Sequence, residues 1–173
     1  MSAGGLVAWL TGLPSSGKST LAWAAAEQLR VVGTAVAVLD GDDVRASLVP
    51  TPGYDEPARA AFYATLARLA ALLSRQGLVV LVPATANRAA FRAEARALAP
   101  RYLEVFVDGP PEVCAARDAK GLYAAAARGE ASAMPGRGAA YERPTAPDLV
   151  VRGDPEDARR LVEACLAARA ASP

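Results

Sequence analysis

The chain has 173 residues, 53% of them hydrophobic, with 19 Lys and Arg against 18 Asp and Glu. A net charge of +1 gives no electrostatic reason to expect nucleic acid or an anionic membrane as partner, and no apolar run nears the ~20 residues that span a bilayer. There is no histidine at all, so any catalysis has to use carboxylates, cations and metal-bound oxygen.

This length suits one domain with a sizeable core, spanning residues 1–173. The elements are then expected in strict alternation. Leu6–Leu10 reads as a buried strand, and Thr20–Leu29 as the helix that follows it. Four more short runs rich in Val and Leu read as strands covered on both faces: Ala35–Leu39, Leu78–Val82, Leu103–Val107 and Asp148–Val151. Between them, Glu56–Arg75 places Phe62, Leu66, Leu69, Leu72 and Leu73 at helical spacing. Arg88–Leu98 and Asp154–Ala170 also read as helices. The pattern predicts a doubly wound α/β domain with crossover helices on both faces, whose ligands bind at the carboxyl ends of the strands. Residues 128–147, rich in Gly, Ala and Pro, form the one long irregular stretch, and a loop of that length is functional or mobile. Cys114 and Cys165 have no metal-ligand or CxxC spacing and read as buried thiols of a reducing compartment. With no signal-peptide pattern at the N-terminus, a cytoplasmic protein is expected.

The segment between the first strand and its helix carries the chemistry. Gly12-Leu13-Pro14-Ser15-Ser16-Gly17-Lys18-Ser19 fits GxxxxGK[ST], followed by Thr20. Small residues let the backbone wrap a phosphate, Lys18 supplies charge to the β- and γ-phosphates, and the Ser19 hydroxyl suits Mg²⁺. A plain glycine turn with a solvated lysine would not need a strand before it and a helix after it. The second strand ends in Asp40-Gly41-Asp42-Asp43, on the side where strand ends meet this loop. Asp40 and Asp42 are therefore expected to face the γ-phosphate, there to hold Mg²⁺ through water or accept a hydroxyl proton. The same residues would also serve as turn and N-cap residues.

Taken together, these residues resemble the adenylylsulfate (APS) kinase family. The pieces that carry the resemblance are "WLTGLPSSGKSTLA", "LDGDDVRASL", Arg59, "QGLVVLV", "VFVDGPPEVCAARDAKGLY" and "YERPTAPDLVV", in the family's order. The resemblance implies a three-layer P-loop NTPase fold with a five-stranded, mostly parallel sheet. It implies transfer of the γ-phosphate of ATP to the 3′-hydroxyl of adenylylsulfate with Mg²⁺, and a homodimer. By the same resemblance Lys18 and Asp42 are catalytic, and Ser19 and Asp42 serve the metal. Gly12 to Thr20 and Arg117 would hold the nucleotide. Asp40, Arg45, Arg59, Phe62, Lys120, Leu122 and Met134 would lie on the acceptor side, with residues 120–141 as a lid.

Three departures fall in the acceptor half. Ala61–Thr65 stands where family members carry ENIRR, Thr85–Ala89 where they carry ISP(Y/F)R, and Ala133–Gly136 where the lid has GFTG. Met134 thus replaces an aromatic residue. Adenylylsulfate is the expected acceptor, and the retained Arg45 and Arg59 favour an anionic one. Two alternatives are a kinase of another small hydroxyl compound, such as a sugar, nucleoside or antibiotic, and a nucleotide-binding module without transfer activity.

Overall fold

The structure, a computed structural model, describes residues 4–118, 121–129, 140–154 and 156–171. Its strands are β1 (Leu6–Thr11), β2 (Val36–Val38), β3 (Val79–Pro83), β4 (Tyr102–Val107) and β5 (Leu149–Val151). They form one sheet in the order β2-β3-β1-β4-β5, and every pairing is parallel. Parallel neighbours need crossovers, and the helices supply them: α1 (Lys18–Val31), α2 (Gly41–Ser47), α3 (Glu56–Arg75), α4 (Ala89–Leu98), α5 (Pro111–Arg117), α6 (Leu122–Ala127) and α7 (Asp157–Ala170).

The central strand shows why its sequence lacks polar alternation. All of β1 is buried, because both of its faces are covered. Leu6, Ala8 and Leu10 point into a core shared with α1 and α7, and Val7 and Trp9 into a second core shared with α3 and α4. Each fully buried Leu or Val contributes about 1.5–3 kcal/mol. Trp9 is also satisfied as a polar group, since its indole N–H donates to the Ala84 carbonyl at 3.2 Å. The edge strands β2 and β5 are shorter than expected, at three residues each, and are largely half-buried. Their ladders nonetheless run on: Val79 N–H donates to Ala35 O and Leu39 N–H to Leu81 O, both at 2.9 Å.

The helix α3 has the bounds its periodicity predicts. Asp55 caps it by accepting the Ala58 N–H at 2.9 Å, and Pro57 lies in the first turn, where no N–H is needed. The short helices α2, α5 and α6 have no counterpart in the sequence pattern. Six or seven residues contain too few turns to set a pattern, and α2 begins in a DGDD run that reads equally well as a turn. Of the expected lid, residues 121–129 and 140–141 are described, whereas Lys120 and Met134 lie outside the described residues. Among the described residues, no helix is long and apolar enough to cross a membrane.

Candidate active site

The phosphate loop follows the carboxyl end of β1 and shares a cavity with Pro83, Ala84 and Thr85 at the end of β3. The loop closes on itself through Ser16 N–H to Leu13 O at 3.2 Å. Gly12 lies at φ 157, and a Cβ there would stand 2.5 Å from the Val107 carbonyl, so only glycine lets the loop pass β4. The start of α1 is unusual: it has no side-chain cap bond, no acidic residue in its first turn, and a lysine as first residue. A helix normally prefers the opposite, because its N-terminus is electropositive and its first N–H groups lack partners. Those free donors plus a cation make a seat for an anion. Lys18 is nearly buried, and its Nζ donates to Gly12 O at 2.9 Å and Leu13 O at 2.7 Å, back onto the loop it serves.

The two aspartates differ in position. Asp40 is buried and caps α2 by accepting the Asp42 N–H at 2.9 Å on Oδ1, while Oδ2 accepts the Ser19 hydroxyl. One carboxylate thus ties the phosphate loop to α2. The sequence pairs Ser19 with Asp42 for Mg²⁺; the geometry brings Asp40 to Ser19 and leaves Asp42 exposed on the wall of the adjoining cavity. Ser19 Oγ and a carboxylate are hard oxygen donors of the type Mg²⁺ takes alongside phosphate oxygens and water, so the residues present fit the ion.

The cavity of ≈ 530 Å³ is lined by Pro14 to Thr20 of the loop (without Ser16), by Asp40, Gly41 and Asp42, and at one end by Arg45, Tyr54, Arg59, Phe62 and Tyr63. Arg45 is only 6% exposed. Its Nη1 donates to Gly53 O at 2.6 Å and Pro52 O at 3.2 Å, and its guanidinium carbon lies 3.9 Å from the Phe62 ring centre and 4.5 Å from that of Tyr54. Burial pushes its pKa below the usual arginine value, partly offset by Tyr54 and Tyr63. A guanidinium held by two carbonyls and two rings is rigid, and Nε and Nη2 make no hydrogen bond among the described residues. They are available to an anion. Phe62 packs in turn on Tyr63, with ring centres 5.4 Å apart. The Tyr63 hydroxyl accepts the Ala86 N–H at 2.9 Å, and burial raises its pKa.

Arg117, Leu122 and Gly153 also line the cavity, and Gly153 follows β5 while Arg45 follows β2, the two opposite edges of the sheet. Several residues of this site escape a sequence reading. Tyr54 is an exposed aromatic just before a helix cap, and nothing in its neighbourhood flags it. Tyr123 donates its hydroxyl to Pro14 O at 3.0 Å, which ties α6 to the phosphate loop across 109 residues of sequence. Tyr141 stacks on Phe106 and shares a hydrogen bond of 2.9 Å with the Thr11 hydroxyl.

Known proteins with the same features are consistent with this arrangement. The family profile described as adenylylsulphate kinase matches residues 4–152. An adenylyl-sulfate kinase of Chloroflexus aurantiacus is 45% identical over 150 residues, covering 87% of this chain and 81% of that one. One from Paraburkholderia xenovorans is 42% identical over 88% of this chain and 86% of its own length. The solved APS kinase of Mycobacterium tuberculosis in complex with AMPPNP and APS superposes with a TM-score of 0.88 at 38% identity, over 92% of this chain and 96% of that one. A sugar kinase from Janibacter at 20% identity and a TM-score of 0.64 shares the fold.

Proposed function

The chain belongs to the adenylylsulfate kinase family, and from that premise we propose that it transfers the γ-phosphate of ATP to the 3′-hydroxyl of adenylylsulfate, giving 3′-phosphoadenylylsulfate and ADP. The observation that carries this reading is a single cavity shared by the phosphate loop, the Ser19–Asp40 pair and the rigid guanidinium of Arg45. On binding, Lys18 exchanges the Gly12 and Leu13 carbonyls for phosphate oxygens, so the loop is held in shape before the ligand arrives. The N–H groups of the loop and of the first turn of α1 receive the remaining phosphate charge. Asp40 orients the Ser19 hydroxyl. Ser19, with Asp40 beside it, would hold Mg²⁺, which when bound would neutralise phosphate charge. As the acceptor oxygen bonds to the γ-phosphorus and the bond to the bridging oxygen breaks, the hydroxyl proton passes to Asp42 on the cavity wall. Arg45 and Arg59 hold the anionic group of the acceptor, and Tyr54 offers a ring face to its base.

A second reading keeps the donor half and changes the acceptor. It is favoured by the apolar wall of Phe62 and Tyr63, where family members carry a polar run. A product assay with Mg·ATP against adenylylsulfate, simple sugars, nucleosides and amino-alcohol antibiotics separates the two. Phosphorylation of adenylylsulfate above all others supports the first. The segment 120–141 is part of the proposal as a lid, with Tyr123 and Tyr141 as its two tethers.

A further inference from the structure

Asp157 is the first residue of α7 and is only 5% exposed. Donors surround its carboxylate. Oδ2 accepts the backbone N–H groups of Arg152 and Gly153 at 2.9 Å and of Asp154 at 3.0 Å, and Oδ1 accepts from Arg160 Nη1 at 2.9 Å. The Asp157 N–H itself donates to Asp154 O at 3.0 Å. Burial alone would raise its pKa, but the backbone donors and Arg160 more than reverse this and hold the carboxyl below the usual aspartate value. One acid therefore fixes three consecutive residues of the turn that leaves β5.

That turn reaches the cavity. Gly153 has φ 86, and a Cβ there would lie 2.7 Å from the Ser16 carbonyl, so its backbone rests directly on the phosphate loop. A Cβ built on Gly17 would come within 3.7 Å of both the Gly153 Cα and Arg117 Nη1, which places the three side by side. All three line the cavity, and the turn after β5 lies at the sheet edge opposite β2, which leads to Arg45. With phosphates along the loop and the acceptor at the Arg45 end, the nucleoside of the donor leaves towards Arg117 and Gly153.

We propose that Asp157 is a positioning residue of the nucleotide site: by clipping residues 152–154 to the start of α7, it holds the Gly153 backbone as the wall against which the donor nucleoside rests. The inference rests on the reading of this cavity as an ATP site. A role confined to stabilising α7 would leave ligand discrimination unchanged.

The test compares two probes by calorimetry in the presence of Mg²⁺, ATP and inorganic tripolyphosphate; neither needs an acceptor. In Asp157→Asn the affinity for ATP falls about tenfold, while that for tripolyphosphate, which has no nucleoside, stays within about twofold. Arg160→Ala removes the donor to Asp157 Oδ1 without touching the phosphate loop and gives a weaker split of the same sign, so it decides the matter if Asp157→Asn does not fold. Unchanged ATP affinity in a folded variant, or equal loss of both probes, overturns the inference. A wild-type chain that binds tripolyphosphate but not ATP overturns the donor assignment itself, and that result is seen before any variant is made.

Discussion

Replacing Asp40 separates two jobs that one carboxylate performs. Its Oδ1 caps α2 and its Oδ2 holds the Ser19 hydroxyl. Asparagine is as good an N-cap as aspartate, so Asp40→Asn should shift Tm by no more than about 2 °C. Asp40→Ala loses the cap, roughly 1 kcal/mol, and Tm should fall by about 2–4 °C in a chain of this size. The chemistry follows a different order. Both variants lose the negative charge beside Ser19, and removing one electrostatic group from a phosphoryl-transfer site costs roughly 100-fold or more in rate. Both should therefore show that loss in kcat together with a raised Mg²⁺ requirement, although only one of them is destabilised. The assay is initial rate against Mg²⁺ at saturating ATP, with thermal melts alongside. Wild-type Mg²⁺ dependence in Asp40→Asn would refute the assignment. If Asp42→Asn showed the raised requirement instead, the metal would be linked to Asp42, as the sequence pairs it.

Lys18→Ala should cut kcat by at least about a hundredfold while the chain stays folded, since its Nζ bonds are to carbonyls of the loop it serves rather than to the core; single-turnover rates and circular dichroism check both halves. Arg45→Ala should raise the KM for adenylylsulfate at least about tenfold and lower Tm, because the guanidinium is packed on Phe62 and bonded to Pro52 and Gly53; Arg45→Lys should recover little, lacking the planar fork. Equal KM values in steady-state kinetics would remove Arg45 from the acceptor site. Burial pushes the Cys165 thiol up to about 12, against a smaller opposing effect of Arg169, so it stays protonated at pH 8. Iodoacetamide followed by mass spectrometry should label it only after denaturation; rapid labelling of the native protein would contradict the burial.

The sequence makes the phosphate loop legible because its elements are contiguous: strand, glycines, lysine and helix follow one another within about one turn of each other. The five strands are legible for the same reason, as short runs dominated by Val and Leu. What stays hidden is set by partners distant in the chain. The short helix α6 has no readable period, and it is fixed by Tyr123 reaching Pro14. Asp157 reads as an ordinary helix-start acid, and its grip on residues 152–154 becomes meaningful only when Gly153 is seen against Ser16. Asp40 and Asp42 are two residues apart with the same chemistry, and only the turn of α2 decides which one meets Ser19. In the sequence Arg45 stands as a bare anion grip; the two rings that hold it come from residues 54 and 62, beyond the reach of local pattern.

The sheet also acts as a partition. Alternate side chains of β1 feed separate cores: the one with α1 and α7 supports the phosphate loop and the Gly153 turn, and the one with α3 and α4 supports Phe62, Tyr63 and the acceptor end. Changes of size or polarity on α3 are thus absorbed in one layer, and the donor machinery on the other side of the sheet keeps its packing. Such an architecture lets lineages try new acceptors without re-inventing the energy source. Substitution tolerance should accordingly follow the layers: swaps among Phe62, Tyr63 and Ala67 change which alcohol is phosphorylated, whereas comparable swaps at Ala22, Ala25 and Leu161 weaken ATP use whatever the alcohol.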